Sequence, residues 1–281
     1  MIGSEVSRAV TAARSIASAL GLRVDDAIVL HNSNKLTLRL RPCDIVARVA
    51  PVAQQALEFE IAIARRLAES ESPVAALDPR VEPRVHLRDG FAVTLWTYYE
   101  PVGTPVPAAD YADALRRLHA GMRAVDIEAP LATDRVASAQ RIVASRDLSP
   151  ALAEADRTLL ADTLSRLGGV VGARTDVQLL HGEPHPGNVV ATERGLVFVD
   201  LETCCRGPVE FDLAHAPDAV AEHYPGVDRD LLRDCRVLML AMITAWRWDP
   251  DDQLPSGRQL AAEWLGQIKA ARARPDQETL G

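Results

Sequence analysis

Lysine is nearly missing from this sequence. Of 31 basic residues only Lys35 and Lys269 are lysines, and neither follows a glycine. A GxxxxGK[ST] phosphate loop is therefore excluded, and with no GxGxxG string the dinucleotide-binding turn is excluded as well. CxxC pairs are also lacking: Cys43, Cys204, Cys205 and Cys235 make no zinc ribbon or thioredoxin-like motif and fit reduced, structural thiols. Long apolar runs do not occur. A stretch such as VLMLAMITAW at 237–246 falls far short of the roughly 20 residues that cross a bilayer. Glu5, Arg8 and Arg14 punctuate the first segment, where a leader would be apolar. These absences predict a cytoplasmic protein with no membrane partner. A net charge of −8, from 39 acids and 31 bases, disfavours nucleic acid and leans toward a cationic small partner.

What is present is a 281-residue chain, 48% apolar and 25% charged, ordinary for a folded protein and long enough for two lobes. From about Ser4 to Leu20, Val6, Val10, Ala13, Ala17 and Leu20 recur at helical spacing, and Gly21 ends the run. AIVL at 27–30, KLTLRL at 35–40 and DIVARVA at 44–50 read as antiparallel strands, the first two separated by the turn-prone HNSN. A second helix, 53–68, leads through SESP to PRVHL at 83–87 and FAVTLW at 91–96, joined by Arg88-Asp89-Gly90. Beyond TYYEPVGTPVP the pattern turns helical, at about 108–122, 134–145, 150–171, 227–247 and 256–273. The helical part is interrupted by strand-like VQLL at 177–180, VV at 189–190 and LVFV at 196–199. The expected architecture is α+β: an N-terminal lobe over 1–97 with an antiparallel sheet and helices, a linker over 98–106, and a mainly helical lobe over 107–281.

Polar chemistry is concentrated around that interruption. A hairpin with the three-residue loop Glu193-Arg194-Gly195 is centred on 194, so Asn188 and Asp200 should face each other. Opposed residues have Cβ atoms about 4.5–5.5 Å apart, so an amide oxygen and a carboxylate would converge. Two hard oxygen ligands suit Mg²⁺, which completes its shell with phosphate oxygens and water. Glu202 would lie on the same face if the strand stays extended, as a further ligand or a partner of one. Upstream, VQLL delivers His181-Gly182-Glu183 into a loop with Pro184, Pro186 and Gly187, which can continue neither helix nor strand.

HGEPHPGN at 181–188 followed by VDLE at 199–202 resembles the HGDxHxxN and DxE/D pair of the aminoglycoside phosphotransferase and choline kinase superfamily. That resemblance implies a protein-kinase-like, two-lobed fold. It also implies transfer of the γ-phosphate of ATP or GTP, with Mg²⁺, to a hydroxyl of a small molecule such as an aminoglycoside-like antibiotic. By position, Glu183 becomes the acid that orients or deprotonates the acceptor hydroxyl, and Asn188 and Asp200 the metal ligands. Glutamate stands where the family usually has aspartate, a carboxylate reaching about 1.5 Å further. DIVARVAP is similar to the family's third strand and puts a phosphate-gripping cation at Arg48, whose fork can meet two oxygens. On the next helix Glu60 shares the apolar side with Ala56, Ile63, Ala64 and Leu67, so Glu60 is assigned to Arg48 and Glu58 to solvent.

The hinge-like LWTYYEPVG then offers the backbone of Trp96, Thr97, Tyr98 and Tyr99 to the nucleotide base, with Leu95 and its neighbours as an apolar slot. GPVEFDLA resembles the segment whose aspartate supports the catalytic loop. Asp212 is expected to bond His181 or the loop backbone, joining Glu183 and His181 in the catalytic group. HNSNK has none of the family's first-loop glycine, yet Asn34 and Lys35 could lie over the phosphates. Other readings stay open: His181, Glu183 and His185 could ligate zinc. A nucleobase deaminase would need a PCxxC downstream, and only the adjacent Cys204 and Cys205 are close.

Overall fold

A computed structural model of the chain describes residues 1–281 apart from 2, 34, 53–55, 251, 253, 255 and 274–281. In chain order the elements begin α1 (Gly3–Ala19), β1 (Val24–Asn32), β2 (Leu36–Pro42), β3 (Ile45–Pro51), α2 (Ala56–Leu67), β4 (His86–Arg88), β5 (Phe91–Thr97) and α3 (Ala108–Arg123). They continue α4 (Ala132–Ala144), α5 (Glu154–Gly172), β6 (Gln178–Leu180), β7 (Val189–Thr192), β8 (Gly195–Phe198) and β9 (Cys205–Gly207). The last are α6 (Val209–Leu213), α7 (Val220–His223), α8 (Arg229–Trp246) and α9 (Gly257–Ala273), and single 3-10 turns lie at Pro186–Asn188 and Leu201–Thr203. An N-terminal antiparallel sheet followed by a helical remainder is the α+β class expected. Among the described residues no helix is long and apolar enough to cross a membrane.

Packing divides the chain into two compact units: Met1–Ile127 with Pro184–Cys204, and Glu128–Glu183 with Cys205–Gly281. In the first, five strands run antiparallel in the order β1-β2-β3-β5-β4. Alternation decides their faces. Leu36, Leu38 and Leu40 of β2, Ile45, Ala47 and Val49 of β3, and Phe91, Val93 and Leu95 of β5 point to one side. There they meet Ala9, Ala12, Ala13, Ile16 and Ala17 of α1, whose alanines let the helix lie close on the sheet. Gly21, at φ +77°, ends that helix in a conformation open to glycine. The β4–β5 turn closes on Asp89 and Gly90 alone, both at positive φ, because Arg88 already pairs with Phe91.

The β7–β8 hairpin belongs to the same unit and is tied down along its length. Ala75 N donates to Phe198 O (2.8 Å), Phe198 N to Pro73 O (2.7 Å) and Val102 N to Ala191 O (2.8 Å). Tyr111 of α3 packs edge-on against the Phe198 ring and donates its hydroxyl to Pro184 O at 2.6 Å.

In the second unit α4, α5, α8 and α9 pack together. α8 buries the stripe Leu231, Cys235, Leu238, Met242 and Ala245, and starts on Asp228, whose carboxylate accepts from Asp230 N and Leu231 N. β6 and β9 form a separate two-stranded ladder, Leu180 facing Cys205. The segment before α4 runs beside it, Arg206 N donating to Pro130 O at 2.7 Å.

Candidate active site

The sheet face turned away from α1 carries the row Thr37, Arg48 and Thr94, flanked by Val46 and Trp96. A cavity of about 340 Å³ opens there. Val46, Ala75, Val190 and Phe198 give it apolar walls, Trp96, Thr97, Tyr98 and Tyr99 form one side, and Arg48, Asn188 and Asp200 bring polar groups. All these residues belong to the first unit. The hinge-like aromatics are held by their own partners: Trp96 Nε1 donates to Thr94 Oγ1 (2.8 Å), Tyr99 Oη accepts from Ala76 N (3.1 Å), and the Arg39 guanidinium stacks 3.7 Å from the Tyr98 ring centre. Leu95 corrects the expected apolar slot. It sits in the row Leu38, Ala47, Leu95 and faces the α1 core, because side chains alternate along β5; Trp96, one residue on, reaches the cavity.

Arg48 is buried beside two acids. Its Nη1 donates to Glu60 Oε1 and its Nη2 to Asp200 Oδ1 at 2.6 Å. Burial alone would lower the guanidinium pKa, but the charges of Glu60, Asp200 and Glu202 outweigh it and hold the pKa raised. Glu60 is fully buried. Burial pushes its carboxyl upward, while Arg48 and Lys35 pull it down, and Leu201 N donates to its Oε1 at 3.1 Å. Glu58 is exposed, two residues away on the outer side of α2. Lys35 is buried just before β2, in contact with Glu202 and 4.0 Å from Glu60 Oε2. Asn34 lies outside the described residues.

The hairpin register differs from the expected one. Val189 pairs with Phe198 and Thr192 with Gly195, so the loop is Glu193-Arg194 and Asn188 faces Val199, not Asp200. Val199 N donates to Asn188 O at 2.9 Å. The turn closes one residue early because the Thr192 hydroxyl donates to Gly195 O (2.8 Å) and accepts from Arg194 N (3.1 Å). Asn188 and Asp200 nevertheless line one cavity, for another reason. β8 ends at Phe198, and Asp200 takes a left-handed backbone (φ +68°, ψ +66°), a conformation that aspartate tolerates better than most residues. The same turn removes the premise for Glu202: the chain enters the Leu201–Thr203 3-10 turn instead of staying extended. Among the described residues the cavity lining leaves Glu202 out, and Glu202 meets Lys35.

The acid loop HGE lies in the second unit. Asp212, fully buried on α6, accepts from His181 N on one oxygen (2.9 Å) and from Gly182 N on the other (2.8 Å). It therefore holds the loop backbone. Gly182, at φ +88°, makes the bend a side chain would strain. The buried His181 ring shapes the loop from inside, its Nδ1 accepting from Glu183 N at 3.4 Å. The Glu183 carboxylate meets Arg135 of α4, whose guanidinium lies 5.4 Å from the centre of the Trp246 ring. His185 belongs to the first unit and accepts from Gly187 N on Nδ1 (3.0 Å).

A family model described as phosphotransferase enzyme family (APH) matches residues 30–234. The chain belongs to that family. The match spans the third strand, the acid loop and the hairpin that carry the superfamily resemblance. No curated protein matches. Solved structures resemble the chain over nearly its whole length. Amicoumacin kinase in complex with AMP-PNP, Ca²⁺ and Ami is 12% identical over 96% of this chain and 96% of that one, at a TM-score of 0.69. The GDP complex of aminoglycoside 2'-phosphotransferase-IIIa is 16% identical over 92% and 97%, at 0.67. A choline/ethanolamine kinase family protein from Mesorhizobium loti is 17% identical over 89% of each chain, at 0.61. At these identities the likeness establishes the fold, which is that of small-molecule kinases.

Within this phosphotransferase fold the structure brings together Arg48, Glu60, Trp96, Thr97, Tyr98, Tyr99, Asn188 and Asp200 at one cavity, and separately His181 and Glu183 in one loop held by Asp212 of α6. Sequence reasoning missed Arg135, which stands 48 positions before Glu183 on a helix whose local pattern gives no sign of a charge partner. It also missed the pairing of Lys35 with Glu202. The scarcity of lysine, Lys35 being one of only two in the chain, was the available signal.

Proposed function

We propose that this chain transfers the γ-phosphoryl group of ATP or GTP to an alcohol hydroxyl of a small molecule. The observation that carries the reading is the single cavity in which an apolar, hinge-sided slot meets Arg48, Asn188 and Asp200. Its volume of about 340 Å³ suits a nucleotide-sized ligand, with apolar walls suited to a base and Arg48, Asn188 and Asp200 suited to metal-bound phosphates. The donor set fits Mg²⁺: an amide oxygen from Asn188 and a carboxylate from a partly exposed Asp200 are the hard oxygens that ion takes from protein. Bound there, Mg²⁺ would supply charge neutralisation for the phosphates.

The chain's own residues do the rest. Arg48, kept protonated and aimed by Glu60, presents a fixed cation. The hinge segment 96–99 receives the base. Asp212 keeps His181 and Gly182 in the bend that presents Glu183. Glu183 takes the proton of the acceptor hydroxyl as its oxygen bonds to the γ-phosphorus and the bond to the β-phosphate oxygen breaks, releasing the nucleoside diphosphate. Phosphoryl transfer leans on positioning more than on base strength, so a glutamate can fill this role. The acceptor is an alcohol of the aminoglycoside, choline or sugar kind. Four free cysteines support a reducing, cytoplasmic setting.

The test is Mg²⁺-dependent consumption of ATP and GTP across a panel of aminoglycosides, macrolides, choline and simple sugars, preceded by a thermal-shift screen for binders. Turnover that rises with one acceptor class is expected. The second reading, a nucleotide-binding pseudokinase, is favoured by Glu183 in the usual aspartate position and by the glycine-free HNSNK loop. Nucleotide binding with no turnover on the whole panel would establish it instead.

A further inference from the structure

The Glu183 carboxylate is met by a guanidinium that neither the motif nor the neighbouring sequence supplies. Arg135 lies in the first turn of α4, and that turn is pinned by its own cap and by β9. Leu131 N donates to Asp134 Oδ2 at 2.8 Å, Leu131 bridges to Arg206 of β9, and Arg206 N donates to Pro130 O at 2.7 Å. β9 pairs with β6, the strand that leads into His181-Gly182-Glu183. One short ladder and one isolated bridge thus place the start of α4 beside the acid loop. Trp246, at the end of α8, lies under the guanidinium with its centre 5.4 Å from the Arg135 Cζ, which limits how the planar group can turn. Arg135 and Glu183 are both largely shielded, with side-chain exposures of 13% and 25%, so solvent screens the pair only in part.

We propose that Arg135 is the positioning residue for Glu183: it draws the carboxylate toward α4 and so takes up the extra methylene that glutamate has over aspartate. The proposal rests on the reading of Glu183 as the acid that directs the acceptor. A flexible, longer acid at this place would sample many positions, and misplacement of a reacting group by about 1 Å can cost about 100-fold in rate. A guanidinium held on a tryptophan face removes that freedom. A cation in contact with a carboxylate favours its charged form, the form that accepts a proton. Lysine would supply the charge without the planar fork or the stacking, so charge and position are separable by substitution.

Two measurements test this on the full chain. The first needs no substrate: titration of the Glu183 carboxyl, by ¹³C NMR of glutamate-labelled protein with Glu183→Gln to assign the signal. Arg135→Met should move that titration to higher pH, and Arg135→Lys should leave it near wild type. Equal titration in wild type and Arg135→Met overturns the proposal, whether or not the enzyme turns over. The second is kinetic. Arg135→Met should lower kcat about 100-fold with the nucleotide KM unchanged, and shift the acid limb of the pH profile upward; Arg135→Lys should restore the limb but not the full kcat. In an Glu183→Asp background the further loss from Arg135→Met should nearly vanish, since the shorter acid has no length to take up. Losses that simply multiply overturn the positioning role. A shifted titration in a protein with no turnover on any acceptor retains the pairing and defeats the phosphotransferase reading instead.

Discussion

In the sheet unit three acids, Glu60, Asp200 and Glu202, share two cations, Arg48 and Lys35. In the helical unit Glu183 has Arg135, and Asp212 gives both its oxygens to backbone N–H groups. The first network is one positive charge short of balance, and two of its acids, Glu60 and Asp200, line a cavity. The second counts two acids for one cation, yet Glu183 is paired and both Asp212 oxygens are taken by N–H donors, so its interactions fix a loop. An acid cluster left under-neutralised is poised for a cation, whereas a paired acid on a stiff bend is poised to be aimed. On the proposed function the two regions divide binding of a charged donor from orientation of an acceptor, and the predictions below press on that division.

The largest effect should come from Asp200→Ala. It removes the carboxylate that both Arg48 and the expected metal share, so turnover should fall on the order of 10³-fold or more, with circular dichroism and melting close to wild type. Retained activity would break the comparison at its first term, since the cavity would then work without its acid. Glu60→Gln comes next. Removing one member of a buried ion pair costs about 3 kcal/mol, and for a compact unit of this size Tm should drop by roughly 6–12 °C. A drop below about 1 kcal/mol would mean that Asp200 alone satisfies Arg48.

How much of this could be read in the sequence follows from the range of each signal. Short-range signals sufficed for the elements: the leucine alternation of β2, the apolar spacing of α1 and the stop at Gly21 depend on neighbours within one helical turn or one pleat. Arg48 and Glu60 could be matched because helical spacing separates Glu60 from Glu58. The hairpin register could not be read. It turned on whether Thr192 or Gly195 closes the loop, and a side-chain hydrogen bond decided it. Asp200 reached the cavity through a left-handed backbone that no spacing rule encodes. Arg135 was invisible because its place beside Glu183 depends on β6, β9 and α4 meeting in space.

Asp212→Asn should have a smaller effect and sharpen the second term. An amide has one acceptor oxygen for two N–H donors, so one of the His181 and Gly182 groups loses its partner, at about 1–3 kcal/mol. Nucleotide affinity should hold while turnover falls, because the loss lies in the loop that presents Glu183 and not in the cavity. A variant that loses nucleotide affinity and keeps turnover would reverse the assignment of roles.

The mildest probe compares the half-buried thiol of the sheet unit with the buried thiols of the helical unit. Cys43 of the sheet unit is half-buried, whereas Cys204 of that unit and Cys205 and Cys235 of the helical unit are buried, and burial pushes the thiols of the latter two up to about 12. At pH 8 these two remain neutral thiols, so an alkylating reagent reaches them only when the surrounding core opens. Mass spectrometry should therefore find Cys43 labelled first, and Cys205 and Cys235 labelled only in denaturant. The linkage has a definite sign. A folded pKa raised above the unfolded value of about 9 means that the contribution to stability is complete below pH 9 and is lost as pH climbs toward 12. Melting should fall across that alkaline window, and Cys205→Ala with Cys235→Ala should flatten the fall. Early labelling of Cys205 would instead mark β9, and with it the strand pair that seats Glu183 beside Arg135, as the first part of the helical unit to open.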